Sequence, residues 1–265
     1  MPDAPQFSVT ILGSGTCVPS LARSACSLVV ETTDSKVLFD CGPGTMHRLL
    51  AAGITIFELS HVFFSHFHPD HTGEMAAFLF ANKYAMPPQR TFPLVMGGGG
   101  GFSGFYEGLK HVYGDWLVLE EGLLSIREFD VAGSDGFDAG DFSISTMPMT
   151  HRPESIGFRL SSGGRSMVYS GDTDMDKNLV SLARDADLLV CEAAMPDAMK
   201  VPGHLTPCLA GEIAEKANVG ELVLTHFYPD CEKVDIAKEC RRAYSGKLRL
   251  ATDLMRIDLT GMKEK

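Results

Sequence analysis

The seven cysteines, at 17, 26, 41, 191, 208, 231 and 240, contain no CxxC pair and are odd in number. Neither a zinc-thiolate site nor a disulfide framework is indicated, and reduced thiols are expected. Basic residues are also scarce, with 23 Lys and Arg against 34 Asp and Glu and a formal net charge of −11. That deficit disfavours broad nucleic-acid binding, because phosphate backbones are held by a surplus of cations. It leaves room for a small anionic substrate, since bound metal ions reverse the local field. No apolar run approaches the length of a membrane span, and Met1-Pro2-Asp3-Ala4-Pro5 lacks the basic start and apolar core of a secretory signal. A cytoplasmic protein with no membrane partner is expected.

What remains is a globular composition, 45% hydrophobic and 22% charged, in 265 residues, enough to bury a large core. Apolar, β-branched runs alternate with helical patterns along the whole chain. Strands are expected at 7–12, 26–31, 37–40, 62–65, 94–96, 124–129, 142–147, 157–160, 167–170, 188–191, 222–225 and 248–251. Helical spacing joins Met46, Leu49 and Leu50; Met75, Phe78 and Leu79; Phe105, Leu109 and Val112; and Leu179, Leu182 and Ala183. Thr206 and Pro207 read as the N-cap and first residue of a helix containing Leu209 and Ile213. Early strands follow one another as hairpins and later ones alternate with helices, which predicts two sheets covered by outer helices. No linker divides them, so one domain over 1–265 is expected, with two similar halves meeting near residue 150.

Two glycine-rich stretches invite a phosphate-binding reading. Gly97 to Gly101 is followed by no Lys-Ser or Lys-Thr, and Gly13-Ser14-Gly15 lacks the third glycine of a dinucleotide fingerprint. The first is read as a flexible strand-to-helix connection and the second as a tight turn beside the site.

The richest chemistry lies in Ser65-His66-Phe67-His68-Pro69-Asp70-His71, directly after the apolar run ending at Phe64. Three imidazoles and a carboxylate in six residues suit one or two borderline divalent ions such as Zn, Mn or Fe. Pro69 interrupts helix, so a zincin arrangement of two His at i and i+4 on a helix is excluded, and the ligands are expected on a strand end and loop. Further candidates close later strands: His151 after 142–147, Asp172 in Ser170-Gly171-Asp172-Thr173, and His226 in Leu224-Thr225-His226-Phe227.

This ordered pattern, HxHxDH followed by His, Asp and His, resembles the metallo-β-lactamase fold superfamily over roughly residues 7–227. The resemblance implies an α/β fold, a four-layer αβ/βα sandwich. It implies one metal on His66, His68 and His151, a second on Asp70, His71 and His226, and Asp172 bridging them, with zinc as the first choice and manganese or iron as alternatives. Such a pair can hold a bridging hydroxide as nucleophile, with Asp70 part of the catalytic centre. Asp40, closing Val37-Leu38-Phe39-Asp40, matches a family position that supports ligand geometry.

Within the superfamily, local features resemble the ribonuclease Z and related phosphodiesterase branch. They are Gly13-Ser14-Gly15-Thr16, Ile156-Gly157-Phe158-Arg159 after His151, Ser170-Gly171-Asp172-Thr173, Glu192-Ala193-Ala194, Gly203-His204-Leu205-Thr206 and Leu224-Thr225-His226-Phe227. The branch implies that His204 protonates a leaving alkoxide and that Glu192 orients it. Enzymes of this branch that process tRNA carry a long arm between the equivalents of Arg159 and Ser170, where this chain has ten residues. Leu205 also stands where the branch usually has Ser. The expected function is therefore a two-metal phosphodiesterase on a small, cyclic nucleotide-like phosphodiester, with nucleic acid an unlikely substrate and a homodimer implied by the branch alone. The alternatives are a metal-dependent lactone, thioester, lactam or aryl-sulfate hydrolase and, behind these, a ribonuclease Z-type tRNA 3′ endonuclease. Arg23, Arg152 and Arg159 are candidate phosphate anchors, and 96–113 and 195–202 are candidate pocket-lining segments. A binding protein without turnover is disfavoured because all seven ligands are present, and a diiron reductase because its relatives have Glu where this chain has His68.

Overall fold

The computed structural model describes residues 7–87 and 90–260, so Met1–Pro5 lies outside the described residues. The first half runs β1 (Ser8–Gly13), β2 (Ser27–Glu31), β3 (Lys36–Phe39), α1 (Thr45–Ala51), β4 (His61–Phe64), α2 (Pro69–Thr72), α3 (Met75–Tyr84), β5 (Leu94–Gly98), α4 (Phe102–Tyr113) and β6 (Leu124–Glu128). The second runs β7 (Asp135–Asp138), β8 (Ser143–Pro148), β9 (Ile156–Ser162), β10 (Arg165–Tyr169), α5 (Lys177–Leu182), β11 (Leu188–Glu192), α6 (Pro207–Lys216), β12 (Glu221–Thr225), α7 (Ile236–Cys240), β13 (Lys247–Leu250) and β14 (Met255–Asp258). Two seven-stranded sheets result, in the orders β14-β1-β2-β3-β4-β5-β6 and β13-β12-β11-β10-β9-β8-β7.

Each sheet starts as antiparallel hairpins and continues as parallel strands joined through helices. Strands buried on both faces read as unbroken apolar runs, and the period of two then sorts the side chains. Val37, Phe39 and Phe63 enter the core between the sheets, whereas Leu38, Val62 and Phe64 turn to the core shared with α1, α3 and α4. Phe158 of β9 anchors the inter-sheet core, with ring centroids 5.1 Å from Phe39 and 5.9 Å from Phe63. Such aromatic pairs add about 0.5–1.5 kcal/mol each beyond their buried area.

Twelve of these strands fall where the apolar runs put them; β7 and β14, with sequences DGFD and MRID, do not stand out. Both are edge strands, each paired on one side only, and edge strands carry charge rather than a continuous apolar run. The short α7 is also missed, being five residues opened by Asp235, whose side chain accepts from Lys238 N. The halves meet between β6 and β7, near residue 130 rather than 150, and each half repeats the hairpin-then-helix order. The glycine run does connect β5 to α4. It is packed tightly: a Cβ at Gly99 would lie 2.0 Å from the Glu154 carbonyl oxygen. All seven cysteines are free, and no helix among the described residues is long and apolar enough to cross a membrane.

Candidate metal centre and catalytic site

The ends of β3, β4, β10, β11 and β12 bring the chemistry together at one edge of the facing sheets. Asp40 and His226, one residue beyond β3 and β12, hold left-handed backbones with φ 59 and 61°. A left-handed residue outside glycine costs on the order of 1–3 kcal/mol and persists only where the surroundings hold it. Asp40 is held by four donors: Ser65 N at 2.8 Å, Ser65 Oγ at 2.9 Å, Tyr169 Oη at 2.7 Å and His71 Nδ1 at 2.7 Å. The last of these leaves His71 Nε2 to face the centre. Ser65 Oγ, having given its proton to Asp40, accepts from His66 Nδ1 at 3.1 Å. The Gly203 carbonyl accepts from His151 Nδ1 at 2.8 Å. Each of these bonds selects the tautomer whose second nitrogen keeps its lone pair for the centre.

Pro69 does not keep this segment out of helix. It is the first residue of α2, with His68 at the N-cap and Asp70 and His71 on the helical turn. Proline is suited to that position, since its missing N–H would have had no intrahelical partner. The i,i+4 zincin arrangement is still absent, because His66 precedes the turn and only His71 of the three imidazoles lies within it.

Ligand atoms of His66, His68, His151 and Asp172 lie within 4.8 Å of one another, as do those of Asp70, His71 and His226. Asp172 stands between the groups. Its Oδ2 is 3.7 Å from His66 Nε2 and 3.9 Å from His151 Nε2, while Oδ1 is 3.3 Å from His71 Nε2 and 3.4 Å from His226 Nε2. His66 Nε2 and Asp172 Oδ1 are buried without a hydrogen-bond partner, a costly state for polar atoms unless an ion completes them. Burial pushes the His66 ring well below its ordinary pKa, keeping it neutral as a ligand must be. Burial opposes ionisation of Asp172, but the neighbouring His226 and His71 outweigh it and hold the carboxyl well below the usual range. A neutral donor beside an ionised one is the state in which borderline divalent cations are bound. These residues fit such ions.

His204 and Glu192 meet beside this cluster. Glu192, buried at the end of β11, accepts from Thr173 N at 2.7 Å and from His204 Nδ1 at 3.1 Å. Burial pushes the His204 pKa down, yet the hydrogen bond and charge of Glu192 prevail and lift it to about 8. The backbone before His204 is held by Asp174, whose Oδ2 accepts from Gly203 N at 2.9 Å and from Lys200 Nζ at 2.8 Å. The same Gly203 therefore steers both His151, through its carbonyl, and His204, through the chain. A third set of close ligand atoms, Asp172, His204 and His226, places His204 at the centre's rim.

Of the candidate phosphate anchors, Arg159 is withdrawn: its guanidinium donates to the carbonyls of Leu182 and Arg184 and to Ser166 Oγ, stitching β9 to the chain after α5. Arg152 is exposed directly after His151. Arg23 lines a cleft of about 460 Å³ together with Pro69 and Asp70, but Glu232, Ser14 and Ala251 occupy its Nε and Nη1. That cleft is walled by 16–20, 23–25, 43 and 44, rather than by 96–113 or 195–202. Its signal in the sequence is Thr16-Cys17-Val18-Pro19-Ser20, an aperiodic stretch with proline directly after the glycine turn. Asp253 ties both ends of this wall, accepting from Ser14 N at 2.9 Å and Ser24 N at 2.8 Å. Asp40→Asn replaces an acceptor of four bonds with a group that can accept at only one oxygen. It is expected to weaken metal binding about 10–100-fold, read by competition with a chromophoric chelator.

Two facing mixed sheets with an imidazole and carboxylate cluster at their strand ends define a metal-dependent hydrolase of the metallo-β-lactamase fold, which binds divalent ions. The beta-lactamase superfamily domain matches residues 35–227, and the chain belongs to that superfamily. Ribonuclease Z of Mycobacterium bovis (strain BCG / Pasteur 1173P2) is 28% identical over 278 residues, covering 96% of this chain and 98% of that protein. Human tRNase Z, short form, superposes with a TM-score of 0.77 at 26% identity over 94% of this chain and 98% of that one. The metallo-beta-lactamase fold protein YhfI from Bacillus subtilis gives 0.83 at 22% identity, over 96% and 99%.

Proposed function

We propose that the whole chain acts as one hydrolase domain, a two-metal phosphodiesterase for a small, cyclic nucleotide-like phosphodiester. His66, His68 and His151 would hold one cation, Asp70, His71 and His226 the other, and Asp172 would lie between them with one oxygen toward each. The cations, zinc foremost with manganese or iron as alternatives, would supply Lewis acidity and a water acidified toward neutrality. Asp70 and Asp172 place negative charge where those ions sit, and Asp40 keeps His71 aimed at the same point. His204 is the proton donor to the leaving oxygen, positioned by Glu192 through Nδ1 so that Nε2 faces the substrate.

The observation that carries the phosphodiester reading is this His204–Glu192 pair, 3.1 Å apart, with His204 Nδ1 3.8 Å from Asp172. An alkoxide leaves poorly without a proton, whereas the thiolate of a thioester or the phenolate of an aryl sulfate makes less demand on such an acid. The connection between β9 and β10 supports a small substrate: Ser162 pairs with Arg165 and only Gly163 and Gly164 lie between them. A tRNA 3′ endonuclease is the second reading, favoured by relatives named ribonuclease Z along nearly the whole chain.

A panel of cyclic nucleotides, bis-aryl phosphates, pre-tRNA, lactones, thioesters and aryl sulfates, run on protein reconstituted with Zn or Mn, separates the readings. Turnover of the small phosphodiesters, with specificity at least about tenfold above every other class, is expected. Cleavage of pre-tRNA at higher kcat/KM than any small diester would replace the leading reading with the second.

A further inference from the structure

The cleft beside the metal cluster differs in character from the cluster itself. Its lining includes Asp70, Val18 and the three prolines Pro19, Pro43 and Pro69, and its volume, about 460 Å³, falls in the range of about 300–1,000 Å³ usual for small-molecule sites. Its cation is Arg23, and that charge is already matched by Glu232 at 2.6 Å, with Nη1 further engaged by Ser14 Oγ and the Ala251 carbonyl at 2.7 Å each. The guanidinium also lies 4.9 Å over the Phe227 ring, which fixes it against the wall. A second phosphate entering here would find the cleft's cation already matched by Glu232. An uncharged flat group would meet prolines and a valine, with Thr16, Ser20 and Ser24 also among the lining residues.

We propose that this cleft is the subsite for one arm of the substrate, and that the arm is an uncharged aromatic group, such as a nucleobase or an aryl ring, with no further phosphate attached. The inference rests on the phosphodiesterase reading and narrows it to diesters carrying a single phosphorus. Recognition is then divided: imidazoles and carboxylates handle the phosphoryl group, and the Val18–Pro19 wall selects the arm by apolar contact.

The test measures equilibrium binding of phenylphosphonate and methylphosphonate to the metal-loaded protein by calorimetry, in the native chain and in Val18→Glu. Val18 is 37% exposed, so the substitution is compatible with folding. The native chain is expected to bind the phenyl compound at least tenfold more tightly, and Val18→Glu to bring the ratio below threefold. A native ratio near one overturns the proposal, as does a high ratio that Val18→Glu leaves intact. A preference for phenylphosphonate that behaves as expected, in a protein that turns over no phosphodiester, would overturn the phosphodiesterase reading and leave the aromatic subsite standing.

Discussion

Replacing Asp172 by alanine is expected to lower kcat/KM by about three orders of magnitude and to leave the protein without its stoichiometric metal. The carboxylate addresses both ligand groups at once, Oδ1 toward His71 and His226 and Oδ2 toward His66 and His151. Removing it therefore takes one ligand from each proposed ion. Metal ions contribute several kcal/mol of transition-state charge stabilisation, and each 1.36 kcal/mol is about tenfold in rate, which sets the scale. Asp172→Asn serves as the isosteric control: it keeps the volume of a fully packed position but not the charge, and should fail nearly as badly. Metal per chain measured by plasma emission, beside steady-state kinetics, decides the matter. A fully loaded Asp172→Ala protein turning over near the native rate would remove this residue from between the ions.

His204→Ala is expected to do something different: leave the metal in place and slow hydrolysis of alkyl phosphodiesters by about 10²–10⁴-fold, the range ascribed to general acid catalysis. The effect should depend on the leaving group. A p-nitrophenolate departs without needing a proton, so its loss should stay below about tenfold. Glu192→Gln, which keeps an acceptor for Thr173 N and for His204 Nδ1 but lacks the negative charge, should fall between native and His204→Ala on the alkyl diester. Equal losses for both leaving groups would dismiss the acid role. Loss of metal in His204→Ala would instead assign His204 to the ligand set it forms with Asp172 and His226.

How legible this was depended on what each residue had to satisfy. Strands buried on both faces must be apolar throughout, so β2, β3, β11 and β12 announce themselves. Edge strands are under no such demand, and β7 and β14 pass as loop. His226 directly follows β12, and His66, His151 and Asp172 follow β4, β8 and β10 within three residues, whereas Asp70 and His71 lie on α2, with His68 at its N-cap, where a loop was expected. The error over Pro69 arose because a proline that breaks a helix from within begins one from its first position, and a sequence does not state which position is meant. Arg159 illustrates the opposite limit. Its three partners are two carbonyls and a hydroxyl from β10 and the chain around α5, and backbone acceptors leave no trace in residue identities. The cleft was missed for a related reason: prolines and small residues mark a turn in the sequence, but the shape they enclose depends on Asp253, 239 residues from Ser14.

That distance has a consequence for how the chain acquires its shape during synthesis. β14 supplies the antiparallel neighbour of β1, and Asp253, just before it, pins both ends of the cleft wall and pairs with Arg48 at 3.1 Å. Contacts this remote in sequence close slowly, because a long loop must be brought together before any of them forms. A nascent chain that has already exposed β1 to β6 on the ribosome still lacks one rim of its first sheet. Its unpaired β1 is an open template for other chains during that interval. The segment that pins the wall of the proposed subsite is then also the one that ends the chain's exposure to aggregation.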